Sequence, residues 1–429
     1  MQLYNSLTRR KEELPSPPGP IRMYVCGPTV YQRIHIGNAR PFVIYLWLKR
    51  WLEQQGYDVK LVENITDVND KIYDAAAKDG IPSAELAQRA TRWYVEDTED
   101  LGLGRPDVEP LATESIPAII ALIETLVERD LAYESGGDVY FRVAAFPEYG
   151  SLSGAQLDDM VSQEETSELK EDPRDFALWK ATKEGEDTSW ESPWGRGRPG
   201  WHIECSAMAE EHLGPEFELH GGGLDLRFPH HENEFAQSRG AGRPFARLWS
   251  HNGLLRLQEE KMAKSVGNIV SLREALDTYG RDAILVFFLG GHYRGEIDYS
   301  DEAMQEASAV AADFRTAFRV AEKRPASGWD DFAAALEDDF NTPAALALLH
   351  EWRAAGQVEL LQRGLEVFGL AVEDSTDEAP PEIRRLAEER SQARARGNFD
   401  RADALRADIE HRGWEVQDVA AGFRLVPKT

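Results

Sequence analysis

Hydrophobic and polar positions near the start of the chain predict a strand, a helix and a second strand, in that order. Ile21–Gly27 is a short apolar run rich in residues that favour β-structure, and Pro28 follows it. A helical pattern then runs over about 36–54, with Gly56 as a stop signal, and 57–66 alternates as a strand does. This arrangement is a βαβ unit, which implies a parallel sheet and a right-handed crossover.

The pattern from 78 to 245 changes character several times. Residues 78–132 have helical periodicity and 138–143 form a short strand, whereas 150–200 are rich in turn-forming residues and tryptophan. Near 201 the sheet pattern resumes. FELHGGGLDLRF (217–228) predicts a strand, a glycine-rich loop and a strand edge, and a helix opens at Pro229. We interpret roughly 80–190 as an insertion into the sheet domain.

From Ser300 onward the pattern is almost wholly helical. We predict helices at 301–322, 331–356, 382–397 and 399–412, with a polar linker at 374–381 and a β-hairpin at 413–427. The fold class that follows is α/β: a Rossmann-like parallel-sheet domain with an inserted domain, followed by an α-helical C-terminal domain.

Composition narrows the class of protein. Hydrophobic residues make up 42% of the 429 positions, enough to bury real cores. Two cysteines exclude a disulfide framework, and without an apolar leader or a long apolar run we expect no secretory signal, no membrane span and a cytoplasmic setting. The net charge of −28, taken over the whole chain, argues against a nucleic-acid partner.

Two short motifs indicate phosphate chemistry. HIGN (His35–Asn38) lies where the first strand leads into the helix, so backbone N–H groups and the helix dipole can attract phosphate. KMAKS (Lys261–Ser265) supplies two lysines, which suit the charge that develops in phosphoryl or nucleotidyl transfer. Taken alone, HIGN has a helix-capping role for His35 as its alternative, and KMAKS has a solvated lysine loop. The pair, in this order on a βαβ chain, favours a nucleotide site.

Two cysteines, a histidine and a glutamate form a candidate metal set. Cys26 ends the first strand, at the edge where α/β proteins bind ligands, and Cys205 lies too far along the chain for a CxxC ribbon. His230 and Glu234 are four apart and share one face of a predicted helix. Thiolate, imidazole and carboxylate together suit tetrahedral Zn²⁺. His231 is a rival ligand, and a buried small hydrophobe is the alternative for each cysteine.

A third motif, HGGGLDL (His220–Leu226), places three consecutive glycines between strand-like segments. Glycines allow a ligand to approach the backbone closely, and a flexible turn is the alternative. A dinucleotide-binding loop is not indicated, because GxGxxG is absent.

Together the motifs resemble those of the cysteinyl-tRNA synthetases, a family of class I aminoacyl-tRNA synthetases. HIGN is similar to the HIGH signature of that family, and KMAKS is similar to its KMSKS loop. The longer matches are YVCGPTVY (24–31), GWHIECSAM (200–208), FELHGGGLDLRFPHHENEFAQS (217–238), DDFNTPAAL (338–346) and RARGNFDRADALRADIEHRGWEVQD (394–418).

The resemblance implies that the chain joins L-cysteine to tRNA(Cys) with ATP, through a cysteinyl-adenylate, as a monomer with Mg²⁺ accompanying ATP. It also implies one zinc ion that selects the substrate thiolate. A hydrophobic pocket separates cysteine from its close analogues by only about 1–3 kcal/mol, whereas a thiolate binds Zn²⁺ far better than a hydroxyl does. We therefore expect the substrate sulfur as a further ligand and no editing domain.

Site residues carry over from the resemblance position by position. The implied zinc ligands are Cys26, Cys205, His230 and Glu234. The implied catalytic residues are His35, Asn38, Lys261 and Lys264. The implied nucleotide site is Gly37, His220, Gly221, Gly222, Gly223, Asp225 and Lys264, and the implied amino-acid pocket is Thr66, Trp201 and His202, with Asp225 beside it.

Three positions depart from the family pattern. Asn38 replaces the final histidine of the signature and can donate a hydrogen bond but carries no charge. Ala263 removes a hydroxyl from KMSKS and leaves both lysines. The ending GFRLVPKT replaces the usual Trp and Arg ending, which leaves the anticodon contacts open.

The resemblance also gives the predicted domains their roles. Residues 1–79 and 191–245 would be the two halves of the catalytic domain, and 80–190 the connective insertion. Residues 246–300 would be a stem-contact segment carrying KMAKS, and 301–429 a helical anticodon-binding domain with a small C-terminal hairpin.

Two other functions are consistent with parts of the sequence. A related ligase that joins cysteine to an amino sugar in mycothiol synthesis would share the zinc and ATP motifs, but it has no need of an anticodon-binding region. A catalytically silent, zinc-binding paralogue is the second alternative, and the intact lysines, His35 and ligand set argue against it.

The distribution of charge revises the first inference about nucleic acids. Residues 381–429 hold ten Lys/Arg and nine Asp/Glu, a net charge of +1, so the remaining 380 residues carry −29. A local surface is enough for tRNA binding. Two predicted helices of this region carry seven arginines: Arg384, Arg385, Arg390, Arg394, Arg396, Arg401 and Arg406. The alternative to a tRNA-binding surface is that these arginines form the solvated face of each helix.

Overall fold

The βαβ unit that the sequence predicts lies at the centre of the fold. The computed structural model describes residues 1–154, 167–257, 260–261, 270–315, 328–370, 379–419 and 422–427. A short antiparallel hairpin precedes the unit. The first elements are β1 (Gln2–Asn5), β2 (Arg10–Glu13), β3 (Pro20–Val25), α1 (Ile36–Gln54) and β4 (Asp58–Glu63). Strands β3 and β4 pair in parallel, as predicted.

The region between β4 and residue 200 contains helices followed by an antiparallel sheet. Its elements are α2 (Asp70–Asp79), α3 (Ser83–Glu99), α4 (Ile116–Glu128), β5 (Ala132–Ser135), β6 (Asp138–Phe141), β7 (Phe176–Ala181) and β8 (Gly197–Pro199). The four strands pair in the order β5-β6-β7-β8. The short strand predicted at 138–143 is therefore one member of a sheet, whose last strand lies beyond residue 190.

The second half of the parallel sheet follows. Its elements are α5 (Trp201–Leu213), β9 (Glu216–Gly223), α6 (Glu232–Gly240) and β10 (Phe245–Asn252). The sheet has the order β10-β9-β3-β4, with every pair parallel. This arrangement confirms the α/β fold class.

Two predictions in this half were wrong. Residues from 201 form the helix α5 rather than sheet, because α5 is buried on nearly all sides and so lacks an amphipathic period. The three glycines end strand β9 rather than forming a loop, and single 3₁₀ and π turns replace the predicted strand edge. Tertiary packing outweighed the turn propensity of glycine here.

A three-stranded sheet and two helices follow the parallel sheet. The elements are β11 (Leu255–Leu257), β12 (Glu260–Lys261), α7 (Leu272–Tyr279), α8 (Arg281–Leu289) and β13 (Ile297–Tyr299). The strand order is β12-β11-β13. Ser271 and Glu274 form a capping box at the start of α7.

The C-terminal region is helical and ends in the predicted hairpin. Its elements are α9 (Asp301–Arg315), α10 (Trp329–Glu337), α11 (Thr342–Ala355), α12 (Val358–Val367), α13 (Pro381–Ala395), α14 (Phe399–His411), β14 (Trp414–Val419) and β15 (Gly422–Pro427). Residues 316–322 of the first predicted helix and 374–378 of the predicted linker lie outside the described residues.

The single helix predicted at 331–356 was wrong. Asp339 and Phe340 have φ values of 60° and 48°, which end one helix before Asn341 caps the next. Asp339 is held there by hydrogen bonds from the Tyr4 N–H (2.8 Å) and the Tyr293 hydroxyl (3.0 Å). The break is therefore imposed by contacts distant in sequence, which helical periodicity does not record.

Apolar packing joins the C-terminal helices, as far as Leu370, to the core of the parallel-sheet region. Trp47 of α1 donates a hydrogen bond to the Phe368 carbonyl at 2.9 Å and packs edge-on against its ring. Residues from 379 onward have a small core of their own, built from α13, α14 and the hairpin. Within the described ranges, no helix is both long and apolar enough to cross a membrane. The domain boundaries stay predictions.

Candidate active site and metal centre

Four buried side chains with metal-binding atoms converge near the carboxyl ends of β3 and β9. The ligand atoms of Cys26, Cys205, His230 and Glu234 all lie within 4.8 Å of one another. One carboxylate oxygen of Glu234, Oε1, lies 3.3 Å from the Cys26 sulfur and 3.2 Å from His230 Nε2. The structure therefore brings together the four side chains that the sequence resemblance implies as ligands.

Local structure explains how each donor reaches this position. Cys26 follows the last residue of β3, and its N–H bonds the Gly221 carbonyl of the neighbouring strand at 3.2 Å. Cys205 lies within α5, which packs against β3 and β9, the two central strands of the parallel sheet. The π turn at Arg227–His231 directs His230 inward, and Glu234 follows in the first turn of α6.

The electrostatics of the cluster favour a bound cation. Burial raises the pKa of Cys26 well above its usual value and also raises that of Cys205. Burial lowers the pKa of His230 well below its usual value, so its imidazole is neutral and able to donate a lone pair. A divalent cation would offset the cost of burying thiolates, and two sulfurs, one imidazole and one carboxylate are a donor set that zinc prefers. The residues therefore fit zinc.

A second set of donors overlaps the first. Cys26, His220, His231 and Glu234 also lie within 4.8 Å of one another. His231 Nε2 is 3.9 Å from Glu234 Oε1, whereas its Nδ1 bonds His251 Nε2 at 2.8 Å. Only the first set contains both cysteines, and sulfur ligands favour that set for zinc.

Two histidines that are not members of the first set hydrogen-bond to its donors. His202 Nδ1 lies 2.8 Å from His230 Nδ1, and His220 Nε2 lies 2.8 Å from Glu234 Oε2. Such bonds fix the orientation of a ligand and the tautomer of a ligating imidazole. His220 also stacks on Trp249, with ring centroids 4.5 Å apart. The structure thus places His220, which the resemblance implies for the nucleotide site, directly against Glu234.

The residues implied for the amino-acid pocket surround one side of the cluster. The Trp201 ring lies 4.2 Å from the His230 ring, measured between centroids. Thr66 is buried and bonds Glu204 at 3.2 Å, where burial raises the pKa of the Glu204 carboxyl well above its usual value. Asp225 lies exposed on the turn after β9.

One residue of the site was missed in the sequence. Asn64 is buried, accepts a hydrogen bond from the Gly27 N–H at 3.0 Å, and has its Oδ1 3.6 Å from the Cys205 sulfur. It follows the last residue of β4, at the carboxyl edge of a parallel strand, where binding residues concentrate in such sheets. That position was the signal that could have identified it.

The first signature lies at the start of α1. His35 is the residue before the first helical turn, Gly37 is in that turn, and Asn38 is exposed. A Cβ at Gly37 would lie 2.9 Å from His35 Nδ1, so glycine is needed for the histidine ring to lie over the helix start. Of the second signature, the Lys261 backbone is in β12, and Lys264 and Ala263 lie outside the described residues.

The glycine triplet packs against side chains of the protein. A Cβ at Gly221 would collide with the Tyr45 ring, and one at Gly222 would lie 2.9 Å from His231 Cε1. A Cβ at Gly223 would lie 2.6 Å from Asp225 Oδ1. The absence of Cβ atoms therefore serves close packing around the donor cluster.

Comparison with known proteins agrees with this architecture. A family model described as the tRNA synthetases class I (C) catalytic domain matches residues 13–309, and a DALR domain model matches residues 331–371. A solved methionyl-tRNA synthetase from Mycobacterium tuberculosis, in complex with methionyl-adenylate, superposes with a TM-score of 0.56 at 18% identity, covering 90% of this chain and 88% of that one. The chain belongs to the class I aminoacyl-tRNA synthetases.

Closer relatives define the family within that class. A cysteine–tRNA ligase from Brevibacillus brevis is 42% identical over 463 aligned residues, with 99% of each chain covered. One from Alkalilimnicola ehrlichii is 43% identical over 458 residues, with 98% of each covered. The chain is a member of the cysteine–tRNA ligase family.

Proposed function

We propose that this protein activates L-cysteine with ATP and transfers the cysteinyl group to tRNA(Cys). Membership of the cysteine–tRNA ligase family over nearly the whole chain supports this function. The observation that carries it is the buried cluster of two thiols, an imidazole and a carboxylate at the carboxyl end of β3, the strand that precedes α1. The cluster is suited to recognising a thiol, and the helix start is suited to holding phosphate.

Cys26, Cys205, His230 and Glu234 would hold the zinc ion. Bound there, the ion would supply a Lewis acid that favours the thiolate of the substrate over a hydroxyl. The chain's own residues orient this site: His202 holds the outer nitrogen of His230, and His220 holds the outer oxygen of Glu234. Trp201 lies against His230 and covers the cluster on one side.

The ATP reaction depends on position and charge. The carboxylate of cysteine attacks the α-phosphorus, a cysteinyl-adenylate forms and pyrophosphate leaves, which requires alignment more than acid–base groups. His35 and the positive end of the α1 helix dipole would attract phosphate oxygens. Lys261 and Lys264 would neutralise the charge that develops on pyrophosphate, and Mg²⁺ would accompany ATP.

Binding of tRNA would use the C-terminal module, residues 379–427. Phe399 has 64% of its surface exposed, at the start of α14 between the exposed Arg396 and Arg401. An exposed ring flanked by guanidinium groups suits stacking with an unpaired base. Arg390 and Arg394 instead bond Asp418 and hold the hairpin against α13. We also propose that the enzyme is a monomer and that it works in the cytoplasm.

The test combines metal analysis with cysteine-dependent exchange of ATP and pyrophosphate. We expect about one zinc per chain and exchange that depends on cysteine, followed by charging of tRNA(Cys). Cys205→Ser should lose the metal and raise the cysteine KM, because a hydroxyl is a poor zinc ligand. Unchanged metal content together with unchanged cysteine KM would refute the ligand set. Coupling of cysteine to an amino sugar without tRNA charging would instead support the mycothiol-type ligase.

A further inference from the structure

Both ends of the segment that contains KMAKS are attached to the beginning of α1. On the C-terminal side the attachment is made by backbone groups. The Ile36 N–H bonds the Val270 carbonyl at 3.0 Å, and the Leu272 N–H bonds the Ile34 carbonyl at 2.9 Å. These two bonds lie on either side of His35. They join the first signature to Val270 and Leu272, the residues that follow the KMAKS segment.

On the N-terminal side the attachment is made by one side chain, Arg40. It is fully buried on α1, and its Nη1 donates to the carbonyls of Gly253 at 2.6 Å and Leu254 at 3.2 Å. Its Nη2 donates to the His292 carbonyl at 3.2 Å. Strand β11 starts at the next residue, Leu255, so the guanidinium lies at the root of the β11–β12 hairpin.

The hairpin places Lys261 in a fixed register relative to this root. Its backbone pairs with Arg256 in the antiparallel β11–β12 ladder. The Leu254 carbonyl also accepts the Ile297 N–H at 3.1 Å, which ties β11 to β13. Strands β11, β12 and β13 are therefore all connected to the backbone carbonyls that Arg40 binds.

The surroundings of Arg40 are unusual for a buried charge. In the described part of the chain no carboxylate forms an ion pair with it, and its hydrogen-bond partners are backbone carbonyls. Buried cations are costly unless they are paired, so a site that only needed packing would be better filled by an apolar side chain. Burial lowers the pKa of Arg40 to about 10, which leaves it charged at neutral pH.

We propose that Arg40 is a positioning residue for adenylate formation: it fixes the root of the β11–β12 hairpin, and with it Lys261, relative to the phosphate-binding start of α1. This inference rests on the proposed function, because it concerns the step in which ATP reacts. Arginine is required, since lysine carries its charge at one point and cannot span three carbonyls.

The first experiment measures cysteine-dependent ATP–pyrophosphate exchange by the full-length Arg40→Lys enzyme. We expect kcat/KM for ATP to fall about tenfold to a hundredfold, because small misplacement of a reacting group has an effect of that order. The cysteine KM and the bound zinc should stay unchanged, since the donor cluster does not contact Arg40. Arg40→Gln, which keeps an amide donor without the charge, gives the same readout if the lysine variant does not fold.

Arg281→Lys is a matched control. Arg281 also donates to two backbone carbonyls, those of Leu101 (2.9 Å) and Gly369 (2.6 Å), but it does not touch the hairpin. We expect its exchange rate to stay within about twofold of the wild-type rate. A loss equal to that of Arg40→Lys would mean that any such anchor matters equally, and would overturn the inference.

A double-mutant cycle with Lys261→Ala separates positioning from general stability. If Arg40 acts through the hairpin, Arg40→Lys should cost less than about threefold once Lys261 is already truncated. The same fold loss in both backgrounds, or a parallel loss of zinc and cysteine affinity, would overturn the inference. Absence of cysteine-dependent exchange in the wild-type enzyme with zinc bound would instead overturn the proposed function.

Discussion

Glu63 provides a prediction whose sign and size both follow from the structure. It is the last residue of β4 and is 3% exposed; one oxygen accepts a hydrogen bond from the Tyr94 hydroxyl at 2.7 Å, and the other has no hydrogen-bond partner among the described residues. Burial raises the pKa of Glu63 to about 8 from an ordinary value of 4.5, and Tyr94 offsets only part of that effect. The folded protein therefore holds a proton that the unfolded chain releases at a lower pH.

The sign follows from proton linkage. Between pH 4.5 and 8 the folded state binds more protons at Glu63, so the free energy of unfolding falls as the pH rises through this window. At about 1.4 kcal/mol for each pH unit, the penalty at pH 7 is on the order of 3 kcal/mol. Glu63→Gln keeps an acceptor for Tyr94 and removes the titration. We expect it to raise the free energy of unfolding by about 1–3 kcal/mol at pH 8 and to change it little at pH 5.

The assay is urea unfolding of the zinc-loaded chain at pH 5 and pH 8, for wild type and variant. Glu218→Gln is the matched control on the same sheet. Burial acts to raise the pKa of Glu218, but the hydrogen bonds and charge of Arg22, 2.9 Å away, outweigh it and the pKa is lowered. That variant should destabilise the protein about equally at pH 5 and pH 8, because the pKa of Glu218 lies below its ordinary value of 4.5 and the carboxylate is ionised at both pH values. An equal effect of Glu63→Gln at both pH values would refute the reasoning.

Three further predictions concern other parts of the molecule. Gly221→Ala should lower the free energy of unfolding by about 1–3 kcal/mol in urea titrations, because the new Cβ displaces Tyr45 from its 2.7 Å bond to the Ser250 carbonyl; full stability would contradict the packing described. Phe399→Ala should weaken tRNA(Cys) binding about tenfold in filter-binding assays and leave cysteine-dependent exchange unchanged, since stacking contributes about 1–3 kcal/mol; unchanged tRNA affinity would exclude a stacking role. Asp418→Ala leaves the buried Arg390 without its carboxylate, so limited proteolysis should cut the C-terminal module sooner while exchange activity persists, and identical proteolysis would refute a structural role for this pair.

The sequence pattern predicted some elements of the fold correctly and missed others, for physical reasons that differ from element to element. The bounds of α1 agree with the structure because helical periodicity and a glycine stop coincide there. Helix α5 was missed because it is buried on nearly all sides and so shows no polar face. The break at Asp339 was missed because Tyr4 and Tyr293, far away in sequence, hold the carboxylate that shapes it.

The sequence likewise predicted some residues of the candidate site and could not predict others. Cys26, Cys205, His230 and Glu234 could be proposed from residue type and resemblance, and the structure brings them together. Choosing between His230 and His231 needs distances, because both histidines lie close to Glu234 in sequence. The contacts of Asn64 and of His220 with the cluster depend on which strands are neighbours, information that spacing along one chain does not contain.

The donor cluster has a consequence for folding as well as for substrate choice. Cys26 and Glu234 are 208 residues apart, and the whole inserted region lies in the chain between them. An ion held by both halves would close a very long loop, and the entropy of loop closure grows with its length. Because that ion binds only the folded arrangement, free zinc at a hundred times its dissociation constant would stabilise the parallel sheet by about 2.7 kcal/mol. Metal supply would then set how much folded enzyme exists, in addition to which amino acid that enzyme accepts.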